Sequence, residues 1–372
     1  MQRRTFLQQG AAAALLAAFP GAVVRGALPS LQRAENPRWY GFNLLELFSG
    51  FHPQPFREQD FEMMAEWKFN FARIPMSYWN WSKPDPAQWM KIDEEIFRLV
   101  DQVVDFGRQY GVHICLNLHR IPGYCVNDGD KEPLQLFSGP AKDQAKALEA
   151  ATYHWQYIAR RYKGTDSNRL SFDLINEPGS AIPAERYISV LQQLTRAIRE
   201  IDPDRRIVVD GLEYGNLPVS DLAADKSIFQ STHGYAPMQL THYQASWVWK
   251  DRKMPVPEWP LRLSASDVWD KERLRQHFRP WTALNRQGVP VHVGEWGVYN
   301  RTPHKVALAY MHDQLALWKS YGWGWSLWNL RGSFGILDSD RKDISYESYK
   351  GRRLDRKMLE VLLEGIKTPE HS

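Results

Sequence analysis

The sequence predicts an α/β protein that folds as a single-domain (β/α)8 TIM barrel, and three observations lead to this fold class. Eight short stretches rich in aromatic and β-branched residues follow one another along the chain. Most of them are separated by segments in which apolar residues recur with the spacing of an amphipathic helix. No linker rich in Gly, Ser or Pro interrupts residues 28–372, so we expect these residues to form one domain.

The eight predicted strands lie between residues 39 and 330, and each is short, as strands of globular proteins usually are. They are WYGFNLL (39–45), FNFARIP (69–75), VHICLNLH (112–119), LSFDLIN (170–176), RIVVDG (206–211), IFQSTHGY (228–235), VPVHVGEW (289–296) and WGWSLWNL (323–330). An open doubly wound sheet is the alternative. It usually carries a Gly-rich phosphate-binding turn after its first strand, and GFNLLELFSG has a different pattern.

The segment after the second predicted strand shows the helical spacing most clearly. In IDEEIFRLVDQVVDFGRQYG, the predicted buried face consists of Ile92, Ile96, Leu99, Val103 and Phe106. Gly111 follows, and a glycine at this point is a typical helix end. The segments KDQAKALEAATYHWQYIARRYKG and HKVALAYMHDQLALWKSYG show the same spacing and predict two further helices.

The first 27 residues have the layout of an export signal, with a charged head, an apolar centre and small residues after it. Arg3 and Arg4, followed by TFL, resemble the start of a bacterial twin-arginine signal, which exports folded proteins. A plain secretory signal is the alternative. The apolar part is too short to span a bilayer comfortably, so we expect an exported protein, periplasmic or extracellular, without stable membrane insertion.

The charge of the chain argues against nucleic acid as a partner. The net charge is +4, and it falls to +1 without residues 1–27, which contain three arginines and no acid. No run of Lys or Arg follows. The 16 tryptophans are unusually many, and the flat faces of exposed tryptophans suit flat ligands such as sugars and bases. Composition alone leaves sugars and bases both open as ligands, and we expect the chain to be a monomer.

The two cysteines are predicted to stay unbridged. Cys115 lies in the middle of the third predicted strand, whereas Cys125 lies in the loop beyond the end of that strand. A strand rises about 3.3 Å per residue, so the two thiols are too far apart for a disulfide.

Polar and aromatic side chains gather at the C-terminal ends of the predicted strands, where the active site of such a barrel is formed. Any one of these side chains has a structural explanation. Burying so many polar and charged groups costs free energy, however, so a functional role is the better explanation for the set. These residues are Arg73, His119, Asn176, Glu177, His233, Tyr235, Glu295 and Trp328.

Alternation along the last two strands predicts which side chains face the barrel interior. In VHVGEW, Val291, Val293 and Glu295 share one face. In WGWSLWNL, the inward face carries two small residues, Gly324 and Ser326, below Trp328.

Glu177 and Glu295 end the fourth and seventh predicted strands, so they are expected to face each other across the barrel mouth. Glycoside cleavage needs such a pair of carboxyl groups. One protonates the leaving oxygen, and the other stabilises or attacks the anomeric carbon of the sugar.

Residues 36–365 resemble glycoside hydrolase family 5, the cellulase-like family of clan A. The segment STHGYAPMQLTHYQASW is similar to the sixth-strand region of that family, which places His233 and Tyr235 in the site and His242 in the loop after it. The other motifs that carry the resemblance are RIP (73–75), LNLHRIPG (116–123), INEP (175–178), VGEWG (293–297) and SLWNLRGSFGILDS (326–339).

The resemblance implies roles for the two glutamates and their neighbours. It implies that Glu177 is the acid/base and Glu295 the nucleophile. Tyr235 is expected to hydrogen-bond the nucleophile, and Arg73 to lie beside it and lower its pKa.

The resemblance also implies the residues that contact the sugar. Asn176 is expected to hold the 2-hydroxyl group. His119 and His233 are expected to line the subsite before the cleaved bond, with Trp328 as its stacking floor.

Weaker candidates for sugar binding surround this set. Glu46 follows the first strand, where some family members that trim chain ends place a carboxylate; a solvated loop acid is the alternative. Trp79 and Trp296 are the other candidates in the predicted site. Two or three members of a wider aromatic group are expected to touch sugar, and that group comprises Trp79, Trp81, Tyr124, Trp247, Trp249 and Trp296.

The resemblance implies a retaining β-glycoside hydrolase without cofactor or metal, and a β-1,4-glucan cut internally is the first expectation. A β-mannan, a β-1,3-glucan or a short glucoside remain open as substrates. A metal-dependent hydrolase is disfavoured, because the chain has neither His-x-His at the first strand nor a His-Glu-x-x-His motif. A non-catalytic sugar-binding protein is disfavoured because both glutamates are present.

Overall fold

The computed structural model describes residues 37–127, 129–250 and 252–367. The predicted export signal, residues 1–27, lies outside the described residues. Eight parallel strands form a closed barrel, because each pairs with the next and the first pairs with the last. The strands are β1 (Tyr40–Asn43), β2 (Phe71–Ser77), β3 (His113–Ile121), β4 (Leu170–Asp173), β5 (Arg206–Asp210), β6 (Ile228–Gly234), β7 (Val291–Trp296) and β8 (Gly324–Leu327).

Helices flank the barrel, as the (β/α)8 prediction requires. The longer ones are α1 (Glu58–Glu66), α2 (Glu94–Tyr110), α3 (Ala141–Arg161), α4 (Ala184–Arg199), α5 (Lys271–His277), α6 (Arg279–Arg286), α7 (His304–Tyr321) and α8 (Arg356–Ile366). One-turn helices in the loops span Leu212–Gly215, Met238–Thr241 and Ser246–Trp249, and short 3₁₀ segments span Tyr78–Asn80, Gly129–Lys131 and Ser220–Leu222.

The loops also contain short antiparallel strands. The segment Tyr124–Cys125 folds back onto the end of β3. Two further pairs are Leu261–Arg262 with Val268–Trp269, and Glu347–Tyr349 with Arg352–Leu354.

The buried face of α2 differs from the predicted one by about one residue. The helix begins after Asp93, whose side chain accepts the N–H of Glu95, and it ends at Gly111 in the left-handed conformation, as predicted. The fully buried positions are Phe97, Val100, Val103 and Gly107. Of the predicted face, only Val103 is fully buried, whereas Ile92, Ile96, Leu99 and Phe106 are half-buried at its edge.

The N-terminal end of the barrel interior is filled by aromatic rings. Trp39 stacks on Phe71, His113 and Phe229, which come from three different strands. His292 from β7 meets the same ring edge-on. Because this end is packed, the polar side chains of the interior are collected at the opposite, C-terminal end.

Two further sequence predictions concern cysteines and membranes. Cys115 and Cys125 are both buried, and no disulfide joins them. Within residues 37–127, 129–250 and 252–367, the helices are too short or too polar to cross a bilayer.

Candidate active site

Two carboxyl groups meet at the C-terminal mouth of the barrel. Oxygen atoms of Glu177, just after β4, and of Glu295, in β7, lie within 4.8 Å of each other and of a ring nitrogen of His233. The side chain of Glu295 is 3% exposed, and that of Glu177 is 17% exposed. The pair therefore combines a buried carboxyl group with one that reaches the surface.

A β-bulge turns Glu295 into the barrel. In the pairing of β7 with β6, Val293 lies opposite Thr232 and Glu295 lies opposite His233, so Gly294 is an extra residue. The prediction that Val291, Val293 and Glu295 share one face is therefore wrong. The two valines pack in the core outside the barrel, and the extra residue reverses the facing of Glu295.

Arg73 is the centre of a buried hydrogen-bond network beneath the carboxyl pair. Its Nη1 donates to Oε1 of Glu295 at 2.6 Å and to Asn43 at 3.1 Å, its Nε to Asp173 at 2.7 Å, and its Nη2 to Asn176 at 2.8 Å. All three nitrogens therefore bond protein atoms. The prediction of a sugar contact for Arg73 is replaced by a role in holding Glu295 and Asn176 in place.

The environment of Glu295 combines burial with opposing charges. Burial raises the pKa of Glu295 above its ordinary value; nearby His233 lowers it, Glu177 raises it, and Arg73 lowers it. Arg73 thus acts in the direction that the resemblance implies, but burial outweighs it. Tyr235 donates its hydroxyl to the other carboxyl oxygen, Oε2, at 3.2 Å.

His233 lies between carboxyl groups rather than in front of a sugar. Its Nδ1 is 2.8 Å from Oε1 of Glu177 and 3.9 Å from Oε2 of Glu295, and its Nε2 is 3.2 Å from Oδ2 of Asp210. The ring is 2% exposed. The prediction that His233 lines the sugar subsite is therefore corrected, because both ring nitrogens already face protein carboxyl groups.

Three other predicted sugar contacts lie at the same end of the barrel: Trp328 is half-buried, whereas His119 and Asn176 are buried. The rings of His119 and Trp328 stack at 5.8 Å, and Phe48 meets both edge-on. Burial lowers the pKa of His119 well below its usual value, so its ring is neutral. Its Nδ1 is buried and has no hydrogen-bond partner among the described residues. Asn176 donates one amide hydrogen to Glu177 at 3.3 Å, which leaves the other for a ligand.

The weaker candidates have varied surroundings. Glu46 is half-buried, with its side chain 8% exposed, and is ion-paired with Arg331 at 2.5 Å, so it is not a solvated loop acid. The ring of Trp79 packs against Phe51 at 5.2 Å and against the guanidinium of Arg120 at 3.9 Å. Phe51 itself is 53% exposed and presents the open face of this stack.

Two predicted aromatic candidates belong to the core. Trp296 is fully buried, and its ring packs edge-on against Trp318 of α7 and Trp325 of β8. Trp81 is 2% exposed and donates its indole N–H to His154. Neither ring can reach a sugar, so both are removed from the predicted set.

Asp173, Asp210 and Asn43 were missed by the sequence prediction. All three are fully buried and belong to the polar network around Arg73 and His233. Asp210 is the last residue of β5, so the rule that selected other strand ends could have found it. Asp173 follows Ser171 at the two-residue spacing of an inward strand face.

The carboxyl pair is a poor site for a metal ion. Glu177, His233 and Glu295 are close enough to share one. However, Arg73 and His233 already bring positive charge against both carboxyl groups. A cation at this point would meet that charge without an additional acidic ligand within reach in the described part of the chain.

Comparison with known proteins decides the family. The family model for Cellulase (glycosyl hydrolase family 5) matches residues 33–333. The chain belongs to glycosyl hydrolase family 5. As a member of that family it is a glycoside hydrolase, and its barrel is the fold expected from the sequence.

Relatives of this family 5 chain are known as sequences and as structures. It is 26% identical over 331 residues to Endoglucanase C of Acetivibrio thermocellus, covering 81% of this chain and 92% of that enzyme. A crystal structure described as a glycoside hydrolase is 39% identical with a TM-score of 0.82, covering 88% of this chain and 99% of the other. Endoglucanase Cel5A of Thermotoga maritima, at 22% identity and a TM-score of 0.70, shares the fold over 87% of this chain and 96% of its own.

Proposed function

We propose that this protein is a retaining endo-β-1,4-glucanase in which Glu177 is the acid/base and Glu295 the nucleophile. The observation that carries the proposal is the separation of the two carboxyl groups, whose oxygens lie within 4.8 Å. Retaining glycosidases place their carboxyl groups about 5–5.5 Å apart, whereas inverting enzymes need about 6.5–9.5 Å to admit a water molecule. The name of Endoglucanase C, a relative that aligns along most of the chain, supports the glucan as substrate.

In the first step, Glu295 attacks the anomeric carbon while Glu177 protonates the leaving oxygen. Arg73 and Tyr235 each hold one oxygen of the Glu295 carboxylate, so the nucleophile is oriented before substrate arrives. In the second step, Glu177 takes a proton from a water molecule whose oxygen attacks the anomeric carbon, which breaks the bond to Glu295 and releases the sugar with its original configuration.

Neighbouring groups suit the sugar that precedes the cleaved bond. The free amide hydrogen of Asn176 is available for a hydroxyl group beside the anomeric carbon. Trp328 offers a half-buried ring next to neutral His119, whose unpartnered nitrogen is available for a second hydroxyl. An aromatic face with polar groups at its edge is the usual arrangement for a sugar ring.

The substrate is tested by incubating the purified protein with a panel of β-glycans and measuring product lengths. Mixed oligosaccharides from carboxymethylcellulose are expected, with a rapid fall in viscosity. β-Mannan is the main comparison, because structures of the Thermotoga maritima protein contain cellobiose and mannotriose. Release of single sugars or cellobiose alone would contradict internal cutting, and absence of turnover on every glycan would contradict the enzyme itself.

Retention of configuration is the first mechanistic prediction. Hydrolysis of a β-linked cello-oligosaccharide followed by proton NMR should show the β-anomer of the new reducing end first. The α-anomer should appear only later, through mutarotation. Early appearance of the α-anomer would show inversion and rule out a covalent intermediate on Glu295.

The second prediction concerns export. The resemblance of residues 1–27 to a twin-arginine signal supports a mature protein that begins after this segment and works outside the cytoplasm. We expect mass spectrometry of the protein from the periplasm or medium to find residues 1–27 absent. Replacing Arg3 and Arg4 with lysine should retain the protein in the cytoplasm. Recovery of exported protein that still contains Arg3 would contradict the prediction.

A further inference from the structure

Glu177 has a backbone conformation that residues with side chains rarely adopt. Its φ angle is +44°, in the left-handed region that usually favours glycine. Such conformations persist where neighbouring groups hold them, and they concentrate at functional sites. The groups that hold Glu177 are therefore of functional interest.

Two side chains hold the main chain at this position. The N–H of Glu177 donates to Oδ2 of Asp210 at 2.9 Å. On the other side, the hydroxyl of Tyr124 donates to the carbonyl oxygen of Glu177 at 2.6 Å and accepts the N–H of Gly179 at 3.0 Å. The peptide units on both sides of the Glu177 α-carbon are thus fixed.

Asp210 also reaches the side chain of Glu177 through an imidazole ring. The same oxygen, Oδ2, lies 3.2 Å from Nε2 of His233, as an ion-pair contact rather than an aligned hydrogen bond, and Nδ1 of that ring hydrogen-bonds Oε1 of Glu177 at 2.8 Å. Asp210 is fully buried, and Arg73 lies 3.7 Å from it. One carboxylate therefore contacts the backbone of Glu177 directly and its carboxyl group through one intermediate.

We propose that Asp210 is a positioning residue for the acid/base, which it holds by the main chain directly and by the carboxyl group through His233. This inference rests on the proposed function of Glu177. In this arrangement the Nδ1–H of His233 donates to Oε1 of Glu177, which leaves Oε2 to carry the proton to the leaving oxygen. Without Asp210, the ring can rotate or lose its proton, and the Glu177 backbone loses an anchor for its strained conformation.

The charges around His233 support a ring that is protonated on both nitrogens. Burial opposes its charge, but Asp210 and Glu295 raise the pKa of His233 well above the usual value. The ionisable groups that face the ring or lie close to it are Asp173, Glu177, Asp210 and Glu295 on the acidic side, Arg73 and His119 on the basic side, and Tyr235.

Asp173 provides a matched control. It is as deeply buried as Asp210 and also contacts Arg73, with Nε of Arg73 at 2.7 Å from its Oδ2. Within the described residues, its side chain hydrogen-bonds neither Glu177 nor His233. A change at Asp173 therefore disturbs the network around Arg73 while it removes no hydrogen bond to Glu177 or His233.

The experiment compares Asp210→Asn with Asp173→Asn on aryl β-cellobiosides whose leaving groups range from dinitrophenol to phenol. General acid catalysis contributes about 10²–10⁴-fold when the leaving group needs a proton. We expect kcat/KM, which reports the first chemical step, to fall about 10²-fold or more for Asp210→Asn on the phenyl glycoside but less than about tenfold on the dinitrophenyl glycoside. Asp173→Asn should lose a similar factor on both. Equal losses across the series for Asp210→Asn would overturn the proposal, whereas a wild-type protein inactive on all of them would overturn the proposed function instead.

A second measurement does not depend on activity. In protein labelled with ¹⁵N-histidine, the ring nitrogens of His233, assigned by comparison with His233→Gln, should both be protonated at neutral pH. In Asp210→Asn, the ring should lose a proton near neutrality, while in Asp173→Asn it should stay protonated. An unchanged His233 signal in folded Asp210→Asn would contradict the coupling. Asp210→Ala, whose side chain is smaller, is measured in both experiments. It should show the same selective loss on the phenyl glycoside and the same loss of a proton from the His233 ring.

Discussion

Glu295→Gln is expected to abolish turnover on every β-glycoside, including those with activated leaving groups. The amide cannot attack the anomeric carbon, so the covalent intermediate does not form. Loss of a member of a catalytic unit costs several orders of magnitude, and we expect a fall in kcat of about 10⁴-fold or more. The fall should be independent of the leaving group, because the nucleophile is needed whatever group departs.

Covalent labelling gives a direct measurement of this role. A 2-deoxy-2-fluoro aryl cellobioside should label the wild-type protein once, and peptide mass spectrometry should place the label on Glu295. Glu295→Gln should remain unlabelled. Asp60→Asn is a matched control, because Asp60 is also a buried acid paired with an arginine, Arg331, yet it lies in α1 outside the carboxyl pair. The Asp60→Asn variant should still be labelled on Glu295. A label on any other residue, in this variant or in the wild type, would show that Glu295 is not the nucleophile.

The barrel and the carboxyl pair could be predicted because their signals are local. Each of the eight strands shows its apolar run in a few consecutive residues, and each is found in the structure. Glu177 and Glu295 were recognisable as residues at strand ends, and the topology of a closed barrel brings those ends together. The motifs of the family added the assignment of roles to these two positions.

The alternation of side chains along the seventh strand does not show the bulge at Gly294. Alternation assumes one residue per pleat, and the one sign in VHVGEW that the count can fail is Gly294, since an isolated glycine inside a strand can mark a bulge. The structure shows why a glycine is needed there, because a Cβ on Gly294 would lie 2.3 Å from the hydroxyl of Ser231. Trp296, predicted as a possible sugar contact, instead packs against Trp318 of α7.

The buried polar network also could not be predicted from the sequence, because its hydrogen bonds join residues that are far apart in the chain. Arg73 meets Asp173 across 100 positions and Glu295 across 222. Residue types alone cannot distinguish a histidine that contacts sugar from one that bridges carboxyl groups. For His233 the difference lies in which groups face its two nitrogens, and only the folded chain sets that.

Glu177→Ala is expected to separate the two chemical steps. It removes the proton donor but leaves Glu295, so a dinitrophenyl glycoside, whose leaving group needs little protonation, should still form the covalent intermediate. That intermediate should accumulate, because water then lacks its general base. A burst of dinitrophenol followed by slow steady-state turnover is the expected time course, whereas the unactivated glucan should be cleaved at least about 10²-fold more slowly than by the wild type.

Azide should restore turnover to Glu177→Ala, because it is a nucleophile that needs no deprotonation. The shortened side chain leaves space beside Nδ1 of His233, which lies 2.8 Å from the carboxyl group that is removed, and a protonated ring there favours a small anion. Attack on the intermediate from this side gives a β-glycosyl azide, identifiable by NMR. Azide should give no β-product with Glu295→Ala, because no glycosyl-enzyme is formed for it to intercept. If azide instead gives a β-glycosyl azide with Glu295→Ala and an α-glycosyl azide with Glu177→Ala, the roles of the two glutamates are reversed.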